Sequence, residues 1–366
     1  MRIAFIAALL LLGLTAAPAY AQPTYAQPTR VDTALTRIVV DSDLAGGVAV
    51  VRDGADLTRS AAGFADVETR TGFAPNTHVR AASMTKTFVA ATIMQLVAEG
   101  RIDLDAPIET YLPGRIRGEG IDANAITVRQ LMRHQSGLPE YFDAETPPPD
   151  YPTTGEHLLD TALTRPAQFA PGTTMKYTNT NYIVLGLLIG KVTGRQAADE
   201  ITWRIIVPLG LFDTYFPAPG DSGLRPAFAH AYELVDGRRT DVTDFNASAA
   251  STAGALISTN EDTSAFITAL LDGRIVPRPL LDQMMETVPM PGGDGLLDYG
   301  LGLEKVSLPC GVTAWGHGGD IDGYHSFMAK TFGGPAISMT FTQSPDASSP
   351  ATDPRGDVMS ALFCPP

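Results

Sequence analysis

The sequence predicts a mixed α+β fold: an antiparallel sheet flanked by helices, with a mainly helical domain inserted into it. Three observations carry that expectation. Near the N-terminus, apolar residues at helical spacing (Val31, Leu35, Ile38, Val39) precede two strand-like runs, GGVAVVRDG (46–54) and DLTRSAAGFADVET (56–69), joined at the turn-forming Asp53-Gly54. From Asp103 to about Phe245 the pattern turns helical, in segments such as ITVRQLMRH (126–134), GEHLLDTALT (155–164) and NYIVLGLLIGKVTG (181–194), parted by Pro- and Gly-rich loops. Strand-like runs then return as YGLGLEKVSL (299–308), VTAWGHGG (312–319), GYHSFMAKTF (323–332) and AISMTFTQ (336–343), with turns too short for parallel crossovers. The sheet is therefore expected to draw strands from both ends of the chain.

Taken in order, residues 1–21 carry one Arg, an apolar run and Ala19-Tyr20-Ala21, the pattern of a secretory signal cleaved before Gln22. Their continuous apolar core falls short of a bilayer span, so no stable membrane anchor is expected. Residues 22–30, mostly the tandem AQPTYAQPT (21–29), read as a polar spacer. The first part of the α/β domain covers 31–102, the mainly helical domain 103–245, and the second α/β part 246–366. Within the last part, TSAFITALLDG (263–273), RPLLDQMMETV (278–288) and the closing DPRGDVMSALF (353–363) read as helices. The 345 residues left after the signal fit two domains.

The formal net charge is −14, and loss of the signal removes only Arg2, leaving 25 cations against 40 acids. With no basic run anywhere, nucleic-acid binding is excluded. Cys310 and Cys364 would meet an oxidising compartment after export, so one disulfide is expected. Two cysteines are too few for a tetrahedral zinc site, and no cofactor is expected. Nothing in the sequence specifies an oligomeric state.

The stretch that can carry chemistry is SMTKTFVAATIMQLVAE (83–99), apolar on every side, polar at its start and closed by Gly100. It reads as a buried helix whose first turn holds Ser83 and Lys86. Residues three apart share a helix face, so hydroxyl and amine can meet. The unpaired N–H groups and positive dipole at a helix start suit a developing oxyanion. This is the S-x-x-K arrangement of serine acyl-transfer enzymes. By itself the same spacing also describes an N-capping serine beside a solvent-reaching lysine.

Two further motifs follow in order, Tyr177-Thr178-Asn179 and His317-Gly318-Gly319. Together with HQSGLPEY (134–141), PGTTMKYTNTNY (171–182), STAGALIST (251–259) and YGLGL (299–303), they make residues 31–364 resemble the penicillin-recognising serine hydrolases. That superfamily contains class C β-lactamases and D-Ala-D-Ala carboxypeptidases; the resemblance is greatest to the secreted soluble carboxypeptidases, which have a cysteine pair comparable to Cys310 and Cys364. The resemblance implies a β-lactamase/transpeptidase-like fold, an acyl-enzyme on Ser83 and acylation by β-lactams. It makes Tyr177 the base and later proton donor, with Lys86 the open alternative, and gives Asn179 the substrate's amide. The oxyanion hole would be the backbone N–H groups of Ser83 and Asp320. Bringing a tyrosine from near 10 to 7 requires about 4 kcal/mol, for which Lys86 and a protonated His317 are the expected sources. Gly318 and Gly319 would let a substrate approach the backbone closely.

The carboxypeptidase relatives usually have His-Thr-Gly followed by another Thr, and often an Arg after YGLGL. Here the corresponding residues are Gly318, Asp320 and Glu304, and two acids should repel a terminal carboxylate. The expected function is a secreted D-Ala-D-Ala carboxypeptidase acting on peptidoglycan-type peptides. The alternatives are a D-aminopeptidase or esterase taking cationic or neutral amides and esters, or a class C-like β-lactamase. A β-lactam sensor or cell-wall binding protein is the non-enzymatic alternative, against which the intact Ser83, Lys86 and Tyr177 speak.

Two other patterns read as decoys. Gly220-Asp221-Ser222-Gly223 sits in a Pro- and Gly-rich loop and reads as a turn. In HGGDIDGYH (317–325), strand alternation would put positions 320 and 322 on one face and 317 and 325 on the other, so no metal is expected. Arg133 and His134 read as structural.

Overall fold

The computed structural model describes residues 29–141, 151–293, 296–344 and 353–365; the expected export signal and most of the spacer lie outside them. Helix α1 (Arg30–Asp41) begins with a capping box between Thr29 and Asp32 and buries Val31, Leu35, Ile38 and Val39. Strands β1 (Gly46–Asp53) and β2 (Asp56–Gly63) form the expected hairpin, with Gly54 at φ +58° in its turn. β2 stops sooner than its apolar run suggests. Gly63 has φ +69°, and a Cβ there would lie 2.5 Å from the Ala45 carbonyl oxygen, so the chain turns away at this point.

The remaining strands of the main sheet come from the C-terminal third: β3 (Val288–Pro289), β4 (Leu297–Tyr299), β5 (Glu304–Ser307), β6 (Thr313–Ile321), β7 (Tyr324–Lys330) and β8 (Ala336–Phe341). Among the described residues the sheet has eight strands in the order β2-β1-β8-β7-β6-β5-β4-β3. Every neighbouring pair is antiparallel. The pairing of β1 with β8, from Gly47 opposite Phe341 to Arg52 opposite Ala336, sews the two ends of the chain together as expected.

Helices cover both faces. α1 and helix α5 (Pro354–Phe363) close over Ala49, Phe327, Ala329, Ile337 and Met339. The alternate residues of β7 and β8 face helix α4 (Asn260–Leu271), and several are polar. Thr263 Oγ1 lies 2.7 Å from Ser338 Oγ, and Asn260 Oδ1 accepts from Thr340 at 3.0 Å, so these buried groups satisfy one another. Helix α2 (Thr85–Ala98) is buried from Thr85 to Met94, as its all-round apolarity predicts, and packs beside helix α3 (Asn179–Thr193).

Three expectations change. The run 299–308 is a hairpin of β4 and β5, bent at Gly300 and Gly302; Cβ atoms there would meet Met284 O at 2.1 Å and Ala90 Cβ at 2.4 Å. The segment 103–245 also contains the hairpin Tyr232–Val235/Arg238–Asp241, turned through Asp236 and Gly237 at positive φ, and a short one at 117–122. Ser83 lies in a 3₁₀ turn (Ala82–Met84) before α2, not within the helix proper.

Candidate active site

The 3₁₀ turn decides where Ser83 points. Ala82 has φ +47°, a conformation a non-glycine residue adopts at a cost of about 1–3 kcal/mol. Ala82, Met84, Thr85 and Lys86 are buried around it, while Ser83 is half-buried and lines a cavity of about 1200 Å³. The turn is held against β6. A Cβ on Gly319 would lie 2.3 Å from the Ala81 carbonyl oxygen, so this glycine is required by the nucleophile turn, not by an approaching substrate. Gly318 faces the other way, toward Arg355 and Phe327 in the cavity wall.

One turn along, Lys86 Nζ sits 2.9 Å from Ser83 Oγ, 2.8 Å from Asn179 Oδ1 and 2.8 Å from the Ala253 carbonyl oxygen. Among the described residues it has no ion-pair partner. Burial drives its pKa down to about 7, against the upward pull of Glu140 and Glu304. Asn179 is the first residue of α3, and its backbone N–H donates to Glu140 Oε2 at 2.7 Å, one of the helix-start groups that must find a partner. The neighbouring Asn181 points elsewhere, into a buried pair with His134 and Ser136.

Burial raises the Tyr177 pKa well above the ordinary value, and the neighbouring Ser83 hydroxyl only partly offsets the rise. Its ring stacks on His134 with centroids 4.2 Å apart. His134 is fully buried at φ +56°, and its Nδ1 accepts from Thr178 N at 3.2 Å and is 3.0 Å from Asn181 Nδ2, which fixes the neutral tautomer. Burial, then Lys86, hold its pKa well below the usual value. His134 is thus structural, as expected, but it is the wall that orients Tyr177.

His317 differs from expectation. Its Nδ1–H can only donate to the Gly318 carbonyl oxygen, 2.6 Å away, leaving Nε2 to accept from Tyr299 Oη at 2.8 Å. Burial and then Lys86 push its pKa down to about 3. It is neutral, and the protonated neighbour expected to stabilise a tyrosinate is absent.

The two acids also divide. Glu304 is buried, accepts the Gly318 N–H at 3.1 Å, and has its pKa pushed up to about 7 by burial, opposed by Arg355. Asp320 is salt-bridged to Arg355 at 3.2 Å and hydrogen-bonded to His325 Nδ1. Burial alone would raise its pKa, but these partners hold it below the usual carboxylate range. The β6–β7 hairpin sets His325 directly opposite Asp320, so the expectation that 317 and 325 share a face away from 320 fails: the turn at 322–323 reverses the strand. No metal-binding cluster occurs among the described residues.

Two residues at the site are not singled out by the sequence, although Glu140 falls within HQSGLPEY (134–141). Glu140, in the loop before the undescribed 142–150, reaches Asn179 and the field of Lys86. Arg355, at the start of α5, donates to Asp353 at 2.6 Å, to Asp320 and to the Ser326 carbonyl oxygen at 3.0 Å. α5 is tied to the loop after β5 by the Cys310–Cys364 disulfide, the pairing expected. Gly220–Gly223 is the expected turn, its Gly223 N–H donating to Asp221 Oδ1 at 3.1 Å.

Comparison with known proteins supplies the family. The chain is 29% identical to a D-aminopeptidase of Gluconobacter oxydans over 77% of its length, and spans about half (52%) of that protein. It is 26% identical to penicillin-binding protein 4 of Amycolatopsis lactamdurans, over 86% of this chain and 84% of that one. Among solved structures, a D-stereospecific amidohydrolase from Streptomyces sp. superposes with a TM-score of 0.84 at 36% identity, covering 93% of this chain and 99% of that one. Residues 31–357 match the Beta-lactamase family, and with its sheet, its Ser83–Lys86 pair and its Tyr177–Asn179 motif the chain belongs to that family of serine hydrolases.

Proposed function

We propose that this protein is a serine amidohydrolase that cleaves amides or short peptides of D-amino acids through an acyl-enzyme on Ser83, with the neutral amine of Lys86 as base. The observation that carries the reading is the set of partners around Lys86 Nζ. The Asn179 Oδ1 and Ala253 carbonyl oxygens can only accept hydrogen bonds. A neutral amine has two N–H bonds and one lone pair, so both N–H groups are held by these fixed acceptors and the lone pair faces the Ser83 hydroxyl.

Attack transfers the Ser83 proton to Nζ as Oγ bonds to the amide carbon. The oxyanion is received by the backbone N–H groups of Ser83 and Asp320. Gly318 N–H already points to the Glu304 side of β6, and strand alternation turns Asp320 N–H, two residues on, to that same edge. The C–N bond then breaks as the proton passes to the leaving nitrogen, with the neutral Tyr177 phenol, whose ring lies 4.8 Å from Lys86 Nζ, as the relay. Water repeats the sequence on the ester and releases the acid.

The similar D-aminopeptidase and D-stereospecific amidohydrolase support the substrate class. The carboxypeptidase reading is weaker because Arg355, the guanidinium in the cavity, has its donors engaged by Asp320, Asp353 and Ser326 and is not free to clamp a carboxylate. A panel of a D-amino acid amide, its L-enantiomer, a short ester, a cephalosporin and a diacyl-Lys-D-Ala-D-Ala peptide tests this. The D-amide should be turned over fastest, and Ser83→Ala should abolish turnover. Efficient release of D-Ala with no amide turnover would overturn the proposal. Export is part of it, supported by the Cys310–Cys364 disulfide. N-terminal sequencing of the exported protein should begin at Gln22, and recovery only inside the cell with residues 1–21 intact would refute export.

A further inference from the structure

β5 begins at Glu304, paired with Gly316, while β6 runs on past that pair to Ile321. Beyond that pair β6 has no strand beside it on this edge among the described residues. Glu304 reaches along the open edge, and its Oε2 takes the Gly318 N–H at 3.1 Å. Its Oε1 receives no hydrogen bond among the described residues. His317 Nδ1 lies 3.5 Å away, but its proton is committed to the Gly318 carbonyl oxygen. The Glu304 side chain lines the cavity that holds Ser83 and Asn179, and the residue is only 6% exposed.

The cations around Glu304 are engaged elsewhere: Arg355 by Asp320 and Asp353, Lys86 by Ser83, Asn179 and Ala253. A buried carboxylate with an unpaired oxygen is costly until a cation reaches it. The geometry points to Glu304 as the receptor for a protonated primary amine on the substrate, so that the enzyme takes amides and short peptides whose D-amino acid keeps a free α-amino group. This assignment rests on the D-amidohydrolase reading. Asp320 is not the receptor, because Arg355 and His325 already occupy its oxygens. Asn179 Nδ2, with no hydrogen bond among the described residues, is left to take the neutral part of the substrate.

The test compares a chromogenic D-amino acid amide with its N-acetyl counterpart, in the wild-type protein and in Glu304→Gln and Glu304→Asp. A charge-assisted hydrogen bond of this kind corresponds to a preference of about 10- to 150-fold. The wild type should favour the free amine by that factor in kcat/KM, mainly through KM. Glu304→Gln keeps an acceptor for Gly318 N–H and should lose the preference, while Glu304→Asp should retain part of it. Equal rates on the two amides in the wild type, or an undiminished preference in a folded Glu304→Gln, overturn the assignment alone. Turnover of neither amide, with D-Ala released from the diacyl peptide, refutes the D-amidohydrolase reading and the assignment with it.

Discussion

At one end of the cavity Lys86 is buried among three oxygen partners, none of them a carboxylate; at the other Arg355, its side chain 12% exposed, is held between Asp320 and Asp353. Burial favours the uncharged form in both places. For Lys86 nothing of comparable strength opposes it, and the pKa falls to about 7. For Arg355 the paired carboxylates more than compensate and hold its pKa above the ordinary value, while Asp353 is drawn well below its own. The same desolvation makes a proton carrier of one cation and a fixed strut of the other. Glu304 lies between them, buried and half-satisfied, and that intermediate state is what suits it to receive a charge from outside.

The contrast is broken most severely at the nucleophile end. Lys86→Met should lower kcat/KM for a D-amino acid amide by about 10³-fold through loss of the base. Tyr177→Phe should cost about 10²-fold, because a relay is removed while the base remains. It also discriminates between bases. Since Lys86 must be neutral to act, wild-type kcat/KM on the N-acetyl amide, which has no amine to titrate, should rise with pH through about 7 and then level. The Tyr177→Phe protein should keep that acid limb, whereas an enzyme that used a tyrosinate would lose it.

At the paired end the effect is on stability. Arg355→Ala removes the guanidinium that Asp320 and Asp353 share and leaves them His325 alone; both side chains keep contact with water (60% and 50% exposed), so the loss should be about 1–3 kcal/mol in denaturant unfolding. The sign of its pH dependence follows from the depressed carboxylates. Their stabilisation is present above the unfolded value near 4 and is lost as pH falls through the lower folded values, so the difference between Arg355→Ala and wild type should shrink in acid.

The two ends also differ in how far they could be read from the sequence. Ser83 and Lys86 lie within one helical turn, and Tyr177 and Asn179 two residues apart at a helix start, so local spacing places each pair. Arg355 reaches Asp320 across 35 positions because α5 docks on the sheet, and no local pattern announces that contact. Asp320 is expected from sequence to repel a terminal carboxylate; its charge is met by Arg355 and His325, partners that are distant or across a hairpin and so are not visible in local spacing. The neutrality of His317 depends on Tyr299 and on complete burial, which spacing does not report. In the fold, the ends of the sheet were legible from strand alternation; the break within 299–308 was not, because Gly300 and Gly302 are there to make room for Met284 and Ala90.

The claim that Lys86 is a neutral base near pH 7 can be measured without substrate. The chain has only five lysines, so a protein labelled at lysine ¹³Cε gives few resonances, and Lys86→Met assigns one of them. This resonance should titrate near 7; a Lys86 resonance still charged at pH 9 would contradict a neutral base.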